Sequence, residues 1–265
     1  MVAAGEVGPM ATTPVLEVEG LVVRYGTRTA VDGLSLSVRQ GEIFGLLGPN
    51  GAGKTSTLSA IEGLLTPSEG TVHVVGRDAA ADPRAARALL GVQLQASSFQ
   101  AELTLTDLLR LYGGLYGLRV SPAEAGDRLH GAGLGDEAAK RFKQTSGGQQ
   151  QRFSLLVAML HDPPLLLLDE PTAGLDPAAR RQLWRQIEKA RGGGGSIVLT
   201  THSMEEAAAV CDRVAIVDHG VLVALGTPEE LIDQHQDDPR VRAAAHGGVT
   251  LEDVFIGLTG GEDDV

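Results

Sequence analysis

Gly48-Pro49-Asn50-Gly51-Ala52-Gly53-Lys54-Thr55 is the most informative stretch of this sequence. Every position matches the phosphate-binding loop pattern, in which glycines let backbone N–H groups turn toward phosphate oxygens. The apolar run Ile43–Leu47 before it predicts a buried strand, and residues 55–65 after it predict a helix. An ordinary glycine-rich turn is the alternative, which the full match in this strand-to-helix context disfavours. The stretch therefore predicts half of a parallel α/β unit with a phosphate site.

Two carboxylates follow a second apolar run, residues 165–168. Open α/β folds place ligands at the carboxyl ends of their strands, where Asp169 and Glu170 are predicted to lie. Lys54 is then expected to reach the β- and γ-phosphates, while the Thr55 hydroxyl and Asp169 hold Mg²⁺. Glu170 is expected to polarise an attacking water as a general base. Solvated acids that cap a loop are the alternative.

A third motif, Thr145-Ser146-Gly147-Gly148-Gln149, precedes a helix predicted to begin near Gln150. Ser146 can cap that helix, and the two glycines expose backbone N–H groups that form a second anion nest. Taken by itself, this pattern favours an ordinary helix cap. Its position between the two preceding motifs makes it the most discriminating feature of the chain.

Periodicity along the chain predicts its architecture. Residues 15–38 alternate apolar and polar side chains with glycine breaks, which predicts short antiparallel strands. Further strands are predicted at 71–75, 91–95, 165–168 and 196–200, and helices at 83–90 and 178–190. Between 96 and 160 leucines recur at three-to-four spacing, which predicts a helical insertion. The expected fold is α/β, with a mixed or parallel sheet, an N-terminal antiparallel β subdomain and an inserted α-helical subdomain.

Composition limits the partners and the compartment. A formal net charge of −12 argues against broad binding to nucleic acid or to an anionic surface, because both need a basic face. Cys211 is the only cysteine, which is typical of a reducing compartment. Residues 1–14 do not read as a signal peptide, and no run approaches the ~20 apolar residues of a membrane span. A cytoplasmic protein that meets a membrane only through a partner is expected.

The three motifs, in this order, resemble the nucleotide-binding domain of ABC transporters, a P-loop NTPase, over residues 15–231. The resemblance implies ATPase activity with ATP and Mg²⁺ bound. It assigns nucleotide binding to Tyr25, Gly48, Pro49, Asn50, Gly51, Ala52, Gly53, Lys54, Thr55 and Ser56. It also implies a homodimer or heterodimer of ATPase subunits, in which Ser146, Gly147, Gly148 and Gln149, here called the signature, meet the γ-phosphate of ATP held by the opposite subunit. Thr145 departs from the leucine that is usual in the family.

The resemblance implies further roles at single positions. Tyr25 stands where the family stacks an aromatic ring on adenine, with a core-packing tyrosine as the alternative. Gln95 stands where a glutamine links Mg²⁺ and the attacking water to the helical subdomain, and Gln93 on the same strand face remains an alternative.

Two positions near the end of the ATPase region have both a structural and a functional interpretation. His202 stands where the family has a histidine that senses γ-phosphate; it also fits a loop residue before a helix begun by a Ser203–Glu206 capping box. Asp176 stands in the family's dimer-contact loop, and it also fits a helix cap before a proline.

Two segments lie outside the expected ATPase region. Residues 1–14 are expected to be a flexible tail, and residues 232–265 a polar linker with a short C-terminal tail.

The C-terminal segment indicates the kind of ABC protein. The segment Thr250-Leu251-Glu252-Asp253-Val254-Phe255 is similar to endings of ABC-2 type exporter ATPase subunits. It also fits an amphipathic helix covering the core. The implied function is to power export of a small molecule, lipid or polysaccharide through a separate membrane permease, with the subunit held at the inner face of the membrane. A soluble ABC ATPase, for example in cofactor assembly, and an importer subunit are the alternatives.

Overall fold

The structure is a computed structural model that describes residues 14–93 and 99–260. Gln95 and nearly all of the predicted N-terminal tail lie outside these residues. The strands are β1 (Leu16–Tyr25), β2 (Arg28–Val38), β3 (Ile43–Leu47), β4 (Glu69–Val74), β5 (Arg77–Asp78), β6 (Leu90–Gln93), β7 (Leu165–Asp169), β8 (Ser196–Thr200), β9 (Arg213–Asp218) and β10 (Val221–Gly226). The helices are α1 (Lys54–Ile61), α2 (Pro83–Arg87), α3 (Leu105–Leu115), α4 (Pro122–Gly131), α5 (Gly147–Ala158), α6 (Pro177–Gly192), α7 (Met204–Val210), α8 (Pro228–His235), α9 (Pro239–Ala244) and α10 (Leu251–Thr259), with 3₁₀ turns at Gly135–Glu137 and Phe142–Gln144.

The predicted N-terminal β subdomain is an antiparallel sheet with strand order β2-β1-β4-β5. Its first two strands are longer than the short strands predicted from the glycine breaks. Gly20 adopts a positive φ of 57° and lies where the β1–β2 register shifts between Val18 and Leu21. The glycine therefore bends the strand at a bulge instead of ending it.

The central sheet has the order β10-β9-β3-β8-β7-β6, and it is parallel except for the β9–β10 hairpin, which was not predicted from the sequence. Along β7, Leu165 and Leu167 join one hydrophobic cluster, whereas Leu166 and Leu168 join another. This alternation of side chains places a packed core on each face of the sheet, as a parallel sheet requires.

The carboxyl ends of three neighbouring strands meet at one edge of this sheet. β8 lies between β3 and β7, and its last residue, Thr200, is in register with Asp169 at the end of β7. The phosphate-loop stretch follows β3. Strand order therefore brings the loop, the two carboxylates and His202 to one side of the molecule.

The described part of the predicted insertion is helical and has a hydrophobic core of its own. Leu105, Leu108 and Leu109 of α3 are fully buried, and they belong to one cluster with Leu129 of α4 and Phe153 of α5. The described residues confirm the predicted helices, but the leucine spacing did not identify the buried face, because Leu111 and Leu115 are 41% and 73% exposed.

Helices occupy most of the segment that the sequence predicts as a polar linker. Val241 of α9 is fully buried in the same cluster as Leu251 and Val254 of α10. A Cβ at Gly257 would lie 2.6 Å from Val241 Cγ2, so only glycine lets α10 approach α9 this closely. One buried apolar residue in a six-residue helix gives too little periodicity to be read from sequence. No helix in the described ranges has the length and apolar character to span a bilayer.

Candidate nucleotide site

A cleft of about 1130 Å³ opens at the carboxyl ends of β3, β7 and β8. Its wall combines the N-terminal sheet, the phosphate loop, the end of β7, the segment after β8 and the C-terminal helix. The lining residues are Tyr25, Arg28, Ala30, Gly48, Pro49, Asn50, Gly51, Gly53, Lys54, Thr55, Ser56, Asp169, Glu170, His202, Met204, Glu252, Phe255, Ile256 and Gly260. Most of the residues predicted for nucleotide binding and hydrolysis therefore share one cavity.

Two glycines of the loop lie so close to neighbouring backbone that a side chain would not fit. A Cβ at Gly48 would lie 2.3 Å from Val217 O, and one at Gly53 would lie 2.4 Å from Ala30 O. Gly51 and Gly53 also have φ angles of 83° and 101°, which side-chain-bearing residues rarely adopt. The loop is thus pressed between β2 and β9, and its glycines cannot be replaced without displacing the backbone.

Lys54 is the cation at the base of the cleft. Its Nζ donates to Gly48 O at 2.7 Å and to Pro49 O at 3.0 Å. Burial lowers the pKa of Lys54, and the negative charges of Glu170 and Asp169 oppose that shift. The ammonium is therefore partly desolvated and faces the two carboxylates, a setting in which it interacts strongly with an incoming phosphate.

Thr200 holds the two carboxylate residues in place. Its Oγ1 donates to Asp169 Oδ1 at 2.6 Å and accepts from the Glu170 backbone N–H at 3.0 Å. Glu170 has a φ of 47°, in the left-handed region that residues with a Cβ seldom occupy. Thr200 belongs to no sequence motif, and its position beside Asp169 follows only from the order of the strands in the sheet.

A third carboxyl group, that of Glu62 at the C-terminal end of α1, interacts electrostatically with Asp169. Burial and the charge of Asp169 raise the pKa of Glu62 to about 7, whereas Arg87 acts in the opposite direction. Glu62 therefore holds its proton in an appreciable fraction of molecules at neutral pH, which limits the negative charge at this end of α1.

His202 lies beside Glu170 in the cleft. Its Nδ1 is 3.7 Å from Glu170 Oε1, and its side chain is 71% exposed. Ser203 caps α7 by accepting from the Glu206 backbone N–H at 3.3 Å. The predicted Ser203–Glu206 capping box is wrong, because the Glu206 side chain turns into the protein.

The Glu206 carboxylate connects the segments that follow β7 and β8. One oxygen accepts from Thr172 Oγ1 at 2.7 Å and Thr201 Oγ1 at 3.1 Å, and the other accepts from Trp184 Nε1 at 2.8 Å. Only 7% of Glu206 is exposed, so these bonds replace its hydration. The position of the loop carrying His202 is thereby tied to that of the loop after Glu170. No local sequence signal identifies this contact.

Tyr25 lies at the mouth of the cleft. Its ring is 51% exposed, so the core-packing interpretation is wrong. Its hydroxyl lies 3.4 Å from Ser56 Oγ, and either group can donate. The ring is therefore anchored at one point and has a face free to stack on a planar ligand.

Two further groups at the rim were missed by sequence reasoning. The guanidinium of Arg28 lies over the phosphate loop, 3.6 Å from the position that a Cβ of Gly51 would take. On α10, Leu251 and Val254 face the core, and Glu252 and Ile256 line the cleft. Phe255 packs against the core and also lines the cleft. The predicted amphipathic helix is confirmed, and its second face forms a wall of the site.

The signature begins α5 at a distance from this cavity. Gln149 N donates to Ser146 Oγ at 3.3 Å and Ser146 N donates to Gln149 Oε1 at 2.8 Å, a reciprocal capping box. Thr145 is buried and donates from Oγ1 to Phe142 O at 2.6 Å, which satisfies the polar group that replaces leucine. Among the described residues, none of the four signature positions lines the cleft.

Asp176 lies at the N-terminal end of α6. Asp176 caps α6 by accepting from Ala178 N at 2.8 Å and Ala179 N at 2.9 Å, and these bonds lower the pKa of its carboxyl. The helix-cap interpretation is confirmed, and the dimer contact stays a prediction.

Gln93 is fully buried in β6, and its side-chain N and O have no hydrogen-bond partner among the described residues. Gln95 lies outside those residues, so the choice between the two stays open.

Comparison with known proteins agrees with this site. Residues 31–173 match the ABC transporter family. Nod factor export ATP-binding protein I of Ralstonia nicotianae is 41% identical over 230 residues, which cover 85% of this chain and 71% of that protein. The protein of the same name from Sinorhizobium fredii is 41% identical over 221 residues, covering 83% of this chain and 64% of that protein. A solved structure of an ATP-binding subunit of an ABC transporter has a TM-score of 0.80 at 29% identity, covering 92% of this chain and 99% of the other.

The family match spans both the phosphate loop and the carboxylate pair, and the solved subunit has a similar fold. The mixed α/β fold predicted from the sequence is confirmed by that likeness. The chain belongs to the ABC transporter family and is an ATP-binding subunit with ATPase activity.

Proposed function

We propose that this chain powers export through a separate membrane permease, working as one of two ATPase subunits at the cytoplasmic face. The main observation behind this proposal is that Lys54, Asp169 and Glu170 line one cleft, whereas the signature lies outside it. In a dimer of such chains, each of the two ATP sites would combine the cleft of one chain with the signature of the other. The names of the relatives, Nod factor export ATP-binding proteins, support export, and a small molecule, lipid or polysaccharide is the proposed cargo class.

The division of the chain follows from the same observations. Residues 15–231 are proposed to be the ATPase domain, with residues 96–160 as its helical subdomain. The segment from 232 onward is proposed to be an appended C-terminal unit, whose α10 contributes to the cleft.

The cleft offers suitable groups for ATP and Mg²⁺. The Thr55 hydroxyl and the Asp169 carboxylate are oxygen donors in one cavity, and Mg²⁺ is commonly held by few protein oxygens together with phosphate oxygens. When bound there, Mg²⁺ would neutralise charge on the phosphates. Lys54 would face the β- and γ-phosphates, and the N–H groups of residues 48–55 would hold their oxygens.

Glu170 is proposed to take a proton from the attacking water. Its backbone is fixed by Thr200 at 3.0 Å, and His202 Nδ1 lies 3.7 Å from its carboxylate. His202 is thus placed to orient this carboxylate and to contact the γ-phosphate. Glu206 holds both loops through Thr172 and Thr201, so the two residues keep a common geometry.

Two chains complete each site in this proposal. The N–H groups of Gly147 and Gly148 lie in the first turn of α5, at the positive end of the helix. They would meet the γ-phosphate held by the loop of the opposite subunit. Asp176, exposed at the start of α6, would contact the other subunit nearby.

A surface on α3 is proposed to dock the permease. Leu111 and Leu115 lie on one face and are 41% and 73% exposed, although the opposite face is buried. Tyr116 extends this surface, and its ring stacks on His161 at 4.1 Å between centroids. Exposed apolar side chains in one patch indicate a protein contact.

Crosslinking tests this docking surface and with it the transporter role. Leu115→Cys, labelled with a thiol-specific photocrosslinker in cells that contain the permease, should crosslink to it. The native Cys211 is buried and burial raises its pKa, so the new thiol should react selectively. Val221→Cys is the matched control, since Val221 is 41% exposed outside the inserted helices. Permease crosslinks from residue 221 or from the 250–259 segment, with none from 115, would contradict the proposal.

Tyr25→Ala should weaken nucleotide binding by about 1–3 kcal/mol, the scale of one aromatic–base stack. The ring is exposed at the cleft, so its removal should leave the free energy of unfolding nearly unchanged. Tyr25→Phe is the control: it keeps the ring and removes the contact with Ser56 at 3.4 Å. Titration with a fluorescent ATP analogue measures both variants, and equal affinity of Tyr25→Ala and the unaltered protein would remove the stacking role.

A further inference from the structure

A second cavity, of about 430 Å³, lies between the end of α4, the signature helix α5 and α6. Its charged lining residues are all cationic or basic: His130, Arg152, Arg185 and Lys189. Gln182 and Gln186 add side-chain amides, and no carboxylate is among the described residues that line it. In a chain of formal net charge −12, such a concave basic surface is a local exception.

Arg152 forms the floor of this cavity and is only 9% exposed. Its Nη1 donates to Gly133 O at 3.0 Å and its Nε donates to Gly148 O at 3.3 Å. Gly133 has a φ of 68°, and a Cβ there would lie 2.9 Å from Arg152 Nη1, so glycine permits the close approach. Burial lowers the pKa of Arg152, which the charge of Glu137 opposes. The guanidinium is thus a desolvated cation bonded to neutral carbonyls.

Arg185 and Lys189 stand one turn apart on α6, on the opposite wall. Like charges at this spacing repel each other. Neither forms an ion pair within the described chain; Arg185 Nε donates only to Arg181 O, at 3.3 Å. Lys189 Nζ leans over the cavity, 3.9 Å from the position of a Cβ on Gly131. Two unpaired cations therefore face a third that is buried.

We propose that this cavity binds an anion through a phosphate group, either free phosphate or the phosphate of a small phosphorylated molecule or lipid headgroup. Guanidinium and ammonium groups supply charge-assisted hydrogen bonds to phosphate oxygens. The Gln182 amide supplies a further donor, whereas Gln186 Nε2 already donates to Ala132 O at 2.7 Å and has one N–H left for a ligand. Because Arg152 also donates to Gly148 O, an anion bound to Arg152 would lie one hydrogen bond away from the first turn of the signature helix. The site is separate from the nucleotide cleft and does not depend on the proposed export role.

Equilibrium dialysis with radiolabelled inorganic phosphate tests the site. Saturating ADP occupies the α- and β-phosphate positions of the nucleotide cleft. Phosphate bound at the open γ position should be the same in all variants, so it does not contribute to the difference between them. The Arg185→Gln/Lys189→Gln variant should bind phosphate about tenfold more weakly, as expected for losing two charge-assisted contacts. Arg180→Gln, an exposed arginine of the same helix outside the cavity, should bind like the unaltered protein. Gln182→Glu places a carboxylate in the cavity and should also weaken binding.

Vesicle sedimentation separates the two sources of phosphate. Retention on vesicles containing phosphatidylglycerol but not on pure phosphatidylcholine, lost in the double variant and reversed by inorganic phosphate, assigns a lipid headgroup. Phosphate binding without vesicle retention assigns a soluble ligand. Equal phosphate binding by the unaltered protein, the double variant and Gln182→Glu, or no binding in the presence of ADP, overturns the proposal.

Discussion

Lys54→Ala should reduce ATP hydrolysis at least about a hundredfold, the scale of removing one preorganised donor from an active site. The ammonium lies in the cleft beside Glu170 and Asp169, and its pKa is lowered because the site is partly desolvated. In such a setting a phosphate gains most from a fixed cation, and water does not replace it. Alanine removes the cation and leaves the glycine backbone that shapes the loop.

Steady-state phosphate release measures this loss, with Lys140→Ala as the control because that side chain is 51% exposed outside the cleft. Thermal unfolding of both variants checks that the fold is retained. A folded Lys54→Ala protein with unaltered turnover would show that the cation does not contribute to hydrolysis.

The phosphate loop could be predicted from sequence because its constraints are local. Gly48 and Gly53 cannot carry a Cβ where the structure puts them, so the residue types themselves report the backbone. The strand β7 and the two acids at its end could also be predicted from the sequence. A strand that is buried on both faces is apolar along its length, so the first polar residues mark where it reaches the edge of the sheet.

Hydrogen bonds between segments that are distant in the chain could not be predicted from the sequence. Glu206 follows Ser203 at the spacing of a capping box, and that local pattern led to a wrong prediction. Its carboxylate instead bonds Thr172, Thr201 and Trp184, which come together only when β7, β8 and α6 are assembled. These tertiary hydrogen bonds satisfy the buried carboxylate, and the N-cap N–H of Ser203 donates to Thr201 Oγ1 at 3.0 Å instead of to Glu206.

The C-terminal helix illustrates the same limit. Its amphipathic pattern predicted a buried face, but nothing in the sequence indicated that Ile256, and Phe255 which also packs against the core, would line the cleft. That placement depends on α10 packing against α9 at Gly257.

Glu170→Gln should reduce hydrolysis by about 10²–10⁴-fold, the usual contribution of a general base, while ATP binding survives. Glutamine keeps the shape and can accept from the same neighbours, but it cannot take a proton from water. The backbone bond from Glu170 N to Thr200 Oγ1, at 3.0 Å, does not involve the side chain and should persist. Glu188→Gln, an exposed acid on α6, is the control for the change in charge.

The same variant reports on the shared site. Since the signature lies outside the cleft of its own chain, ATP in each cleft has an uncovered side that a second chain can close. Blocking hydrolysis should therefore accumulate an ATP-bound dimer, seen by size-exclusion chromatography with light scattering. Adding Ser146→Arg should abolish that dimer, because a bulky cation fills the space intended for γ-phosphate.

Loss of the helix cap is the competing explanation for the effect of Ser146→Arg, since a capping residue contributes about 1 kcal/mol. Ser146→Asp separates the two, because aspartate caps α5 as well as serine but places negative charge toward the phosphate. Both substitutions should prevent the Glu170→Gln dimer if the signature meets γ-phosphate; a dimer that persists in Ser146→Asp would attribute the arginine effect to a weakened helix. A Glu170→Gln chain that binds ATP yet stays monomeric should be measured again with the permease present, because the membrane partner can hold two subunits together. Failure to dimerise there, with ATP bound, would refute the shared site, and normal hydrolysis by Glu170→Gln would remove Glu170 from catalysis.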